Sequence, residues 1–190
     1  IGLIALYAAR LPVDYQYGRY VIPALPGLIV IGMGGTLDLV LRGRRSMTRR
    51  ILSRTALIVS FLVLIIFALA LGPGIYARDV AFIDSRMVAA AKWLAENVPP
   101  EELLAAHDIG AVGYFAPRPI LDLAGLVSPE VIPIIRDEAA LRAYMGERGA
   151  HYFMTLQSWY ATLPDATMTP VWAGGDPADG GDTMVIYRIE

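Results

Sequence analysis

The sequence predicts transmembrane α-helices followed by a small α/β domain with a mainly parallel sheet in Rossmann-like layers. Three observations lead there. Hydrophobic residues make up 56% of the chain, charged residues only 18%, and the mean hydropathy is +0.50, against about 45–50% apolar in an ordinary soluble domain. From Thr55 to Ala77 no residue is charged. Beyond Tyr76 the unbroken apolar pattern gives way to short apolar runs alternating with helical periodicity, the mark of strands and helices packed in layers.

The chain opens on Ile1 inside an apolar run, so it reads as the C-terminal piece of a longer protein. Residues 1–9, IGLIALYAA, look like the tail of one helix, and residues 10–20 form a loop. A span follows over 21–41, where Pro23 and Pro26 fall in the opening turns and a missing N–H costs least. Residues 42–54 are a loop carrying Arg42, Arg44, Arg45, Arg49, Arg50 and Arg54, and 55–77 is the clearest span. At about 1.5 Å per residue that last stretch crosses a hydrocarbon layer of about 30 Å.

Charge divides along the same line. Residues 1–78 carry nine Arg against Asp14 and Asp38, a balance of +7, while 79–190 carry six Arg and one Lys against sixteen acids, a balance of −9. Such asymmetry signals a membrane or nucleic acid. Because the basic half is also the apolar half, nucleic acid is excluded as the partner. Cationic loops resist translocation, so the Arg-rich loop is expected in the cytoplasm of a bacterial cell and the domain 79–190 outside its plasma membrane. The lipid bilayer is thus one expected partner.

Within the domain, Asp84 or Ser85 is expected to cap a helix with Met87, Val88, Ala91, Leu94 and Ala95 on one face, ending at Asn97 before Pro99 and Pro100. Leu103 to Ala106 reads as a strand, IGAVGYF after Asp108 as a short helix, and Pro119 to Leu123 as a second strand. Ser128-Pro129-Glu130 has the residues of a helix start. A helix over Glu138 to Arg148 stops at Gly149, and His151 to Leu156 is a third strand. Thr183 to Ile189 is the last, after the loop AGGDPADGGD.

Cysteine is absent, which removes disulfides and thiolate chemistry. No dinucleotide fingerprint, phosphate loop, serine elbow or zinc-protease motif occurs, so neither a cofactor nor a metal is expected. His107-Asp108 ends the first predicted strand and Asp122 the second, on the edge where α/β sheets bind ligands; the competing role is capping of the segments that follow. Trp159-Tyr160 and Trp172 have the faces to stack on a sugar or to fill a core. His151 has no partner at metal-ligand spacing and reads as structural.

Arg19 stands among Gln16, Tyr17 and Tyr20 immediately before a Pro-containing apolar span. The segment Tyr17-Gly18-Arg19-Tyr20 with Pro23 and Pro26, and the run from Ala105 to Glu130, resemble the polyprenyl-phosphate-dependent GT-C glycosyltransferases, a group that includes protein mannosyltransferase-like membrane enzymes. The resemblance implies transfer of a sugar from a polyprenyl-phosphate donor to an acceptor on the outer face of the membrane. Substrate contacts are expected at Arg19, Tyr17, Tyr20 and Gln16 beside the membrane span, and at His107 and Asp108 on the sheet edge. The resemblance puts the acidic catalytic residue in an outer loop upstream of Ile1, so the catalytic residues are unknown here and this piece is expected to be inactive alone. A guanidinium offers paired donors to phosphate oxygens, whereas Arg and Tyr also anchor membrane ends by solvation alone. A non-enzymatic membrane protein with an external ligand-binding domain is the alternative.

Overall fold

A computed structural model of the chain describes residues 2–10, 15–42, 46–175 and 181–190. Leu11–Asp14, Gly43–Arg45 and Asp176–Gly180, which include parts of the expected loops, lie outside the described residues. The chain divides into two compact units, Ile1–Pro73 and Gly74–Glu190.

The first unit is helical. Helix α1 covers Gly2–Arg10, a 3₁₀ stretch Tyr15–Ala24, α2 Leu25–Arg42 and α3 Met47–Ile66. Two expected boundaries are corrected. The α-helix starts at Leu25 rather than residue 21, with Tyr15–Ala24 wound as 3₁₀ where a loop was expected. Pro26 has no N–H to give to the Ile22 carbonyl, and its ring disfavours α geometry at the residue before it, so the regular ladder forms only around it.

The Arg-rich segment, expected as a loop over 42–54, is helical through Arg42 and again from Met47. Arginine is among the better helix formers, and no glycine or proline follows Gly43 in that segment to break the helix.

Val21–Asp38 and Arg50–Asn97 are long and apolar enough to cross a membrane. Side chains such as Val30, Ile31, Phe61, Leu64 and Leu69 are exposed along them. Helical backbone continues beyond α3 through a π turn at Phe67–Leu71, where Gly72 N–H bonds to Phe67 O. Pro73 brings no N–H to the ladder, and the widened turn just before it makes room for its ring.

In the second unit, α4 covers Gly72–Ile83, a π turn Asp84–Val88, and α5 Ala89–Asn97. The helix start expected at Asp84 or Ser85 is therefore absent. Ile83 already has φ −66° and ψ −44°, so no cap is needed at that point. Helix α5 stops at Asn97, where Val98 turns to an extended φ of −125° ahead of Pro99.

The strands are β1 Leu104–Ala106, β2 Ile120–Asp122, β3 Tyr152–Leu156, β4 Met168–Gly174 and β5 Met184–Ile189. They form one sheet in the order β2-β1-β3-β5-β4. Pairs β1–β2 and β1–β3 are parallel, while β3–β5 and β4–β5 are antiparallel. The sheet is thus mixed rather than mainly parallel. Its antiparallel half follows from β4, a strand the sequence hides behind Pro170. Proline cannot donate to a ladder, but β4 is an edge strand, and its register shifts between Pro170 and Trp172, which accommodates the ring.

Period-2 alternation distributes the core over both sheet faces. Leu104, Ala106, Met154, Leu156, Met184 and Ile186 face α5 and helix α6, Gly110–Phe115, together with Met87, Ala90, Ala91, Leu94 and Val112. Ala105, Leu121, Phe153, Val185 and Tyr187 face helix α7, Glu138–Arg148, through Leu141 and Met145. The unit is an α/β/α sandwich.

Between β2 and α7, the Ser128-Pro129-Glu130 signal yields only a 3₁₀ turn, Pro129–Val131, not the expected helix. Pro133 has no N–H for the Pro129 carbonyl and its ring would clash with it, so the winding stops. Helix α7 is capped at one end by Asp137, whose carboxylate accepts Ala140 N–H at 3.0 Å. Its other end is Gly149 at φ 71°, a left-handed conformation that glycine adopts without cost.

Candidate functional site

The carboxyl ends of β1, β2 and β3 share one edge of the domain. After β1 the chain leaves toward β2, and after β3 it leaves toward the opposite end of the sheet, so these two connections diverge. A divergence of this kind opens a crevice in α/β sheets, where ligands bind. His107 and Asp108 follow β1, Gln157 to Tyr160 follow β3, and Asp122 closes β2.

His107 is half-buried and its Nδ1 lies 2.9 Å from the Tyr160 hydroxyl. Tyr160 is buried, packing edge-on to Phe153 with centroids 5.7 Å apart. Burial, reinforced by the charges of Glu138 and Asp122, pushes its phenol up to about 12. A phenol and a neutral imidazole each offer one donor and one acceptor, so the contact forms with either tautomer of the ring. Burial also draws the His107 imidazole below its ordinary range, against the opposing pull of Asp122 and Asp108. The Trp159 ring stands 4.6 Å from the His107 ring, tilted by 56°, and is 38% exposed.

Asp108 accepts Gly110 N–H on Oδ1 at 3.2 Å. Asp122 has no exposed surface, and its two oxygens accept Ala124 N–H at 2.9 Å and Val127 N–H at 2.7 Å. It holds the turn after β2, the capping role weighed for it from the sequence.

A family model described as Domain of unknown function (DUF8728) matches residues 76–187, more than half of the chain. The chain belongs to the DUF8728 family. No curated protein and no solved structure matches it. The matched region contains α5 to α7, strands β1 to β4 and most of β5, so the DUF8728 domain coincides closely with the α/β unit, and the carboxyl ends of β1 and β3 lie within it.

Other expected residues fall elsewhere. Arg19 is exposed on the 3₁₀ stretch of the first unit, which also carries Gln16, Tyr17 and Tyr20. Trp172 lies on β4, packed against the sheet face that meets α5, and does not join Trp159. A Cβ on Gly174 would sit 2.2 Å from the Trp172 ring, so the ring covers the space only glycine leaves. His151 bonds to Glu102 through Nδ1 at the opposite edge, a structural pairing. Among the described residues no group of three or more His, Asp or Glu is placed to hold a metal ion.

Two features escaped the sequence. Tyr160 meets His107 Nδ1 from 53 residues away, and no local spacing encodes that contact. Arg86 has no exposed surface: Nε donates to Asp182 O at 2.5 Å, Nη1 donates to Ser85 Oγ at 3.0 Å, and the guanidinium lies 4.1 Å from the Phe82 ring centroid. Its place on the same helical stripe as Ala90 and Leu94 was the available signal.

Proposed function

We propose that this chain is the C-terminal part of a GT-C-type membrane glycosyltransferase, which moves a sugar from a polyprenyl-phosphate donor to an acceptor on the outer face of the bacterial plasma membrane. In this reading Val21–Asp38 and the apolar part of the long helix beginning near Arg50 span the bilayer. The Arg-rich segment is cytoplasmic, and the DUF8728 domain is extracytoplasmic.

The observation that carries the reading is Arg19, exposed on a 3₁₀ turn directly ahead of an apolar helix. A guanidinium in that position suits the headgroup of a lipid phosphate. Uncovered apolar side chains along α2 and α3 support the membrane setting, since leaving such surface in water costs roughly 25 cal/mol per Å².

The α/β domain binds and positions the acceptor rather than performing the chemistry. Asp122 is buried with both oxygens committed to backbone N–H groups, so it is not set up as a general base. His107 is half-buried with Nδ1 against the Tyr160 hydroxyl, a placement that suits contact with a ligand at the sheet edge. The same observation favours the second reading, a non-enzymatic membrane-anchored protein whose external domain binds a ligand.

Arg19 separates them. In the full-length protein Arg19→Ala lowers donor-lipid turnover per inserted molecule by about ten- to a hundredfold, the worth of about 1.5–3 kcal/mol in charge-assisted hydrogen bonding. Arg19→Lys keeps the charge without the planar fork and recovers part of the activity. Unchanged turnover in Arg19→Ala removes the phosphate role; full tolerance of Lys, with Ala lowering only the amount inserted, identifies an anchor. Absence of any transfer by the full-length protein leaves the ligand-binding reading.

A further inference from the structure

We infer that the edge at the carboxyl ends of β1 and β3 binds a neutral pyranose ring, stacked on Trp159 and held through its hydroxyls by the His107 imidazole and the Asp108 carboxylate. The inference rests on the preceding reading only for the biological role of the sugar; the binding chemistry stands on the side chains themselves.

Three features of the edge select this ligand. Trp159 belongs to neither core cluster, and at 38% exposure part of its ring remains accessible beside His107. A pyranose presents a patch of axial C–H bonds on its ring face, which suits an indole. Beside it stand an imidazole and a carboxylate. The Tyr160 contact engages His107 through Nδ1, leaving Nε2 outside it, and the bond from Gly110 holds Asp108 through Oδ1, leaving Oδ2 outside that contact. A sugar hydroxyl both donates and accepts, so an imidazole nitrogen of either tautomer beside a carboxylate satisfies a vicinal pair of hydroxyls.

Charge decides between a neutral sugar and a phosphorylated ligand. Asp108 and Asp122 both act on His107 from this edge. Asp182 reaches the same end of the sheet, its Oδ2 accepting Ser158 N–H at 2.8 Å. The one cation described there is Arg86, which is buried and bonded to Asp182 O. An acidic rim of this kind repels phosphate and suits a polyol. Leu126 and Val127, both exposed on the turn that Asp122 holds, add apolar surface at this edge for a second sugar unit or an aglycone.

The test is saturation-transfer NMR on the whole chain in detergent micelles, with methyl β-D-glucopyranoside, methyl α-D-mannopyranoside and glucose 6-phosphate as probes. At least one neutral glycoside is expected to receive saturation on its ring C–H protons, and glucose 6-phosphate to bind more weakly. Trp159→Ala weakens binding at least about tenfold, as loss of a stacking partner predicts. His107→Gln, which keeps an N–H donor, retains more binding than His107→Ala. Trp172→Ala, on the far edge strand, leaves binding unchanged.

Equal binding by wild type and Trp159→Ala overturns the proposal, as does tighter binding of glucose 6-phosphate or no binding of either glycoside. Thermal melting of each variant separates lost binding from lost fold. Glycoside binding that survives while the full-length protein shows no sugar transfer leaves this site standing and removes the transferase reading. Transfer activity with no glycoside binding does the reverse.

Discussion

Arg86 carries its charge at a position with no exposed surface, where an ion not compensated by polar partners would cost several kcal/mol. Its compensation comes from the Asp182 carbonyl, the Ser85 hydroxyl and the Phe82 ring. Gly175, at φ 134°, lets the backbone approach; a Cβ there would lie 3.2 Å from Arg86 Nε. The side chain thereby ties the end of the β4–β5 hairpin to the helix. Arg86→Met keeps the stem but strands the Asp182 carbonyl, so it is expected to lower stability by about 1–3 kcal/mol in thermal or denaturant unfolding. An unchanged midpoint would mean that the hairpin is held by other contacts.

At His107 the sign of the pH effect follows from burial, which depresses the folded-state value below that of the unfolded chain. Between those values the unfolded chain binds more protons. Stability is therefore full above about pH 6.5, the ordinary histidine value, and falls as the pH drops below it toward the depressed folded value. His107→Gln removes this titration. The drop in Tm between pH 7.5 and 5.5 should accordingly be smaller in the variant than in wild type, and an equal drop would show that His107 is not kept neutral by the fold.

Helix α7 shows how much local chemistry was legible at the level of elements. Its limits, Glu138 and Arg148, and its stop at Gly149 agree with the sequence reading, because an Asp cap and a left-handed glycine are local signals. Asp137→Ala and Gly149→Ala are each expected to cost about 1 kcal/mol, and because the two ends share no partner the costs should add in the double variant. A double variant no less stable than either single one would contradict independent caps.

Four of the five strands were equally legible, each starting and ending within one residue of its expected limits. Strand β4 was not, because Pro170 reads as a strand breaker until the edge position is known. The missing strand also misled the reading of sheet type: the strand–helix alternation of the earlier elements pointed to a mainly parallel sheet, and without β4 nothing marked the return of the chain that sets β5 antiparallel to β3. The Ser128-Pro129-Glu130 start was misread for the opposite reason, since a good local signal was stopped by Pro133. At the site, placing His107 and Asp108 on the carboxyl edge needed only strand ends. Pairing His107 with Tyr160 needed the tertiary fold.

On the scale of the molecule, the polarity of the chain sets the account: a basic, apolar segment followed by an acidic α/β domain. Two helical stretches of sufficient length and apolarity precede or enter the DUF8728 domain, and in the proposed reading the positive-inside rule orients them across the bilayer. These 190 residues contain no cysteine, so in a full-length protein with any cysteine outside them replaced by serine a single introduced thiol reports its own location. The direct measurement is labelling of intact bacteria with a membrane-impermeant maleimide, using the full-length protein with either Ser46→Cys, in the Arg-rich segment, or Glu147→Cys, exposed on α7. The account predicts that Glu147→Cys is labelled in intact cells and Ser46→Cys only after the membrane is opened. Labelling of Ser46→Cys in intact cells with protection of Glu147→Cys, or recovery of the protein in the soluble fraction, would contradict it.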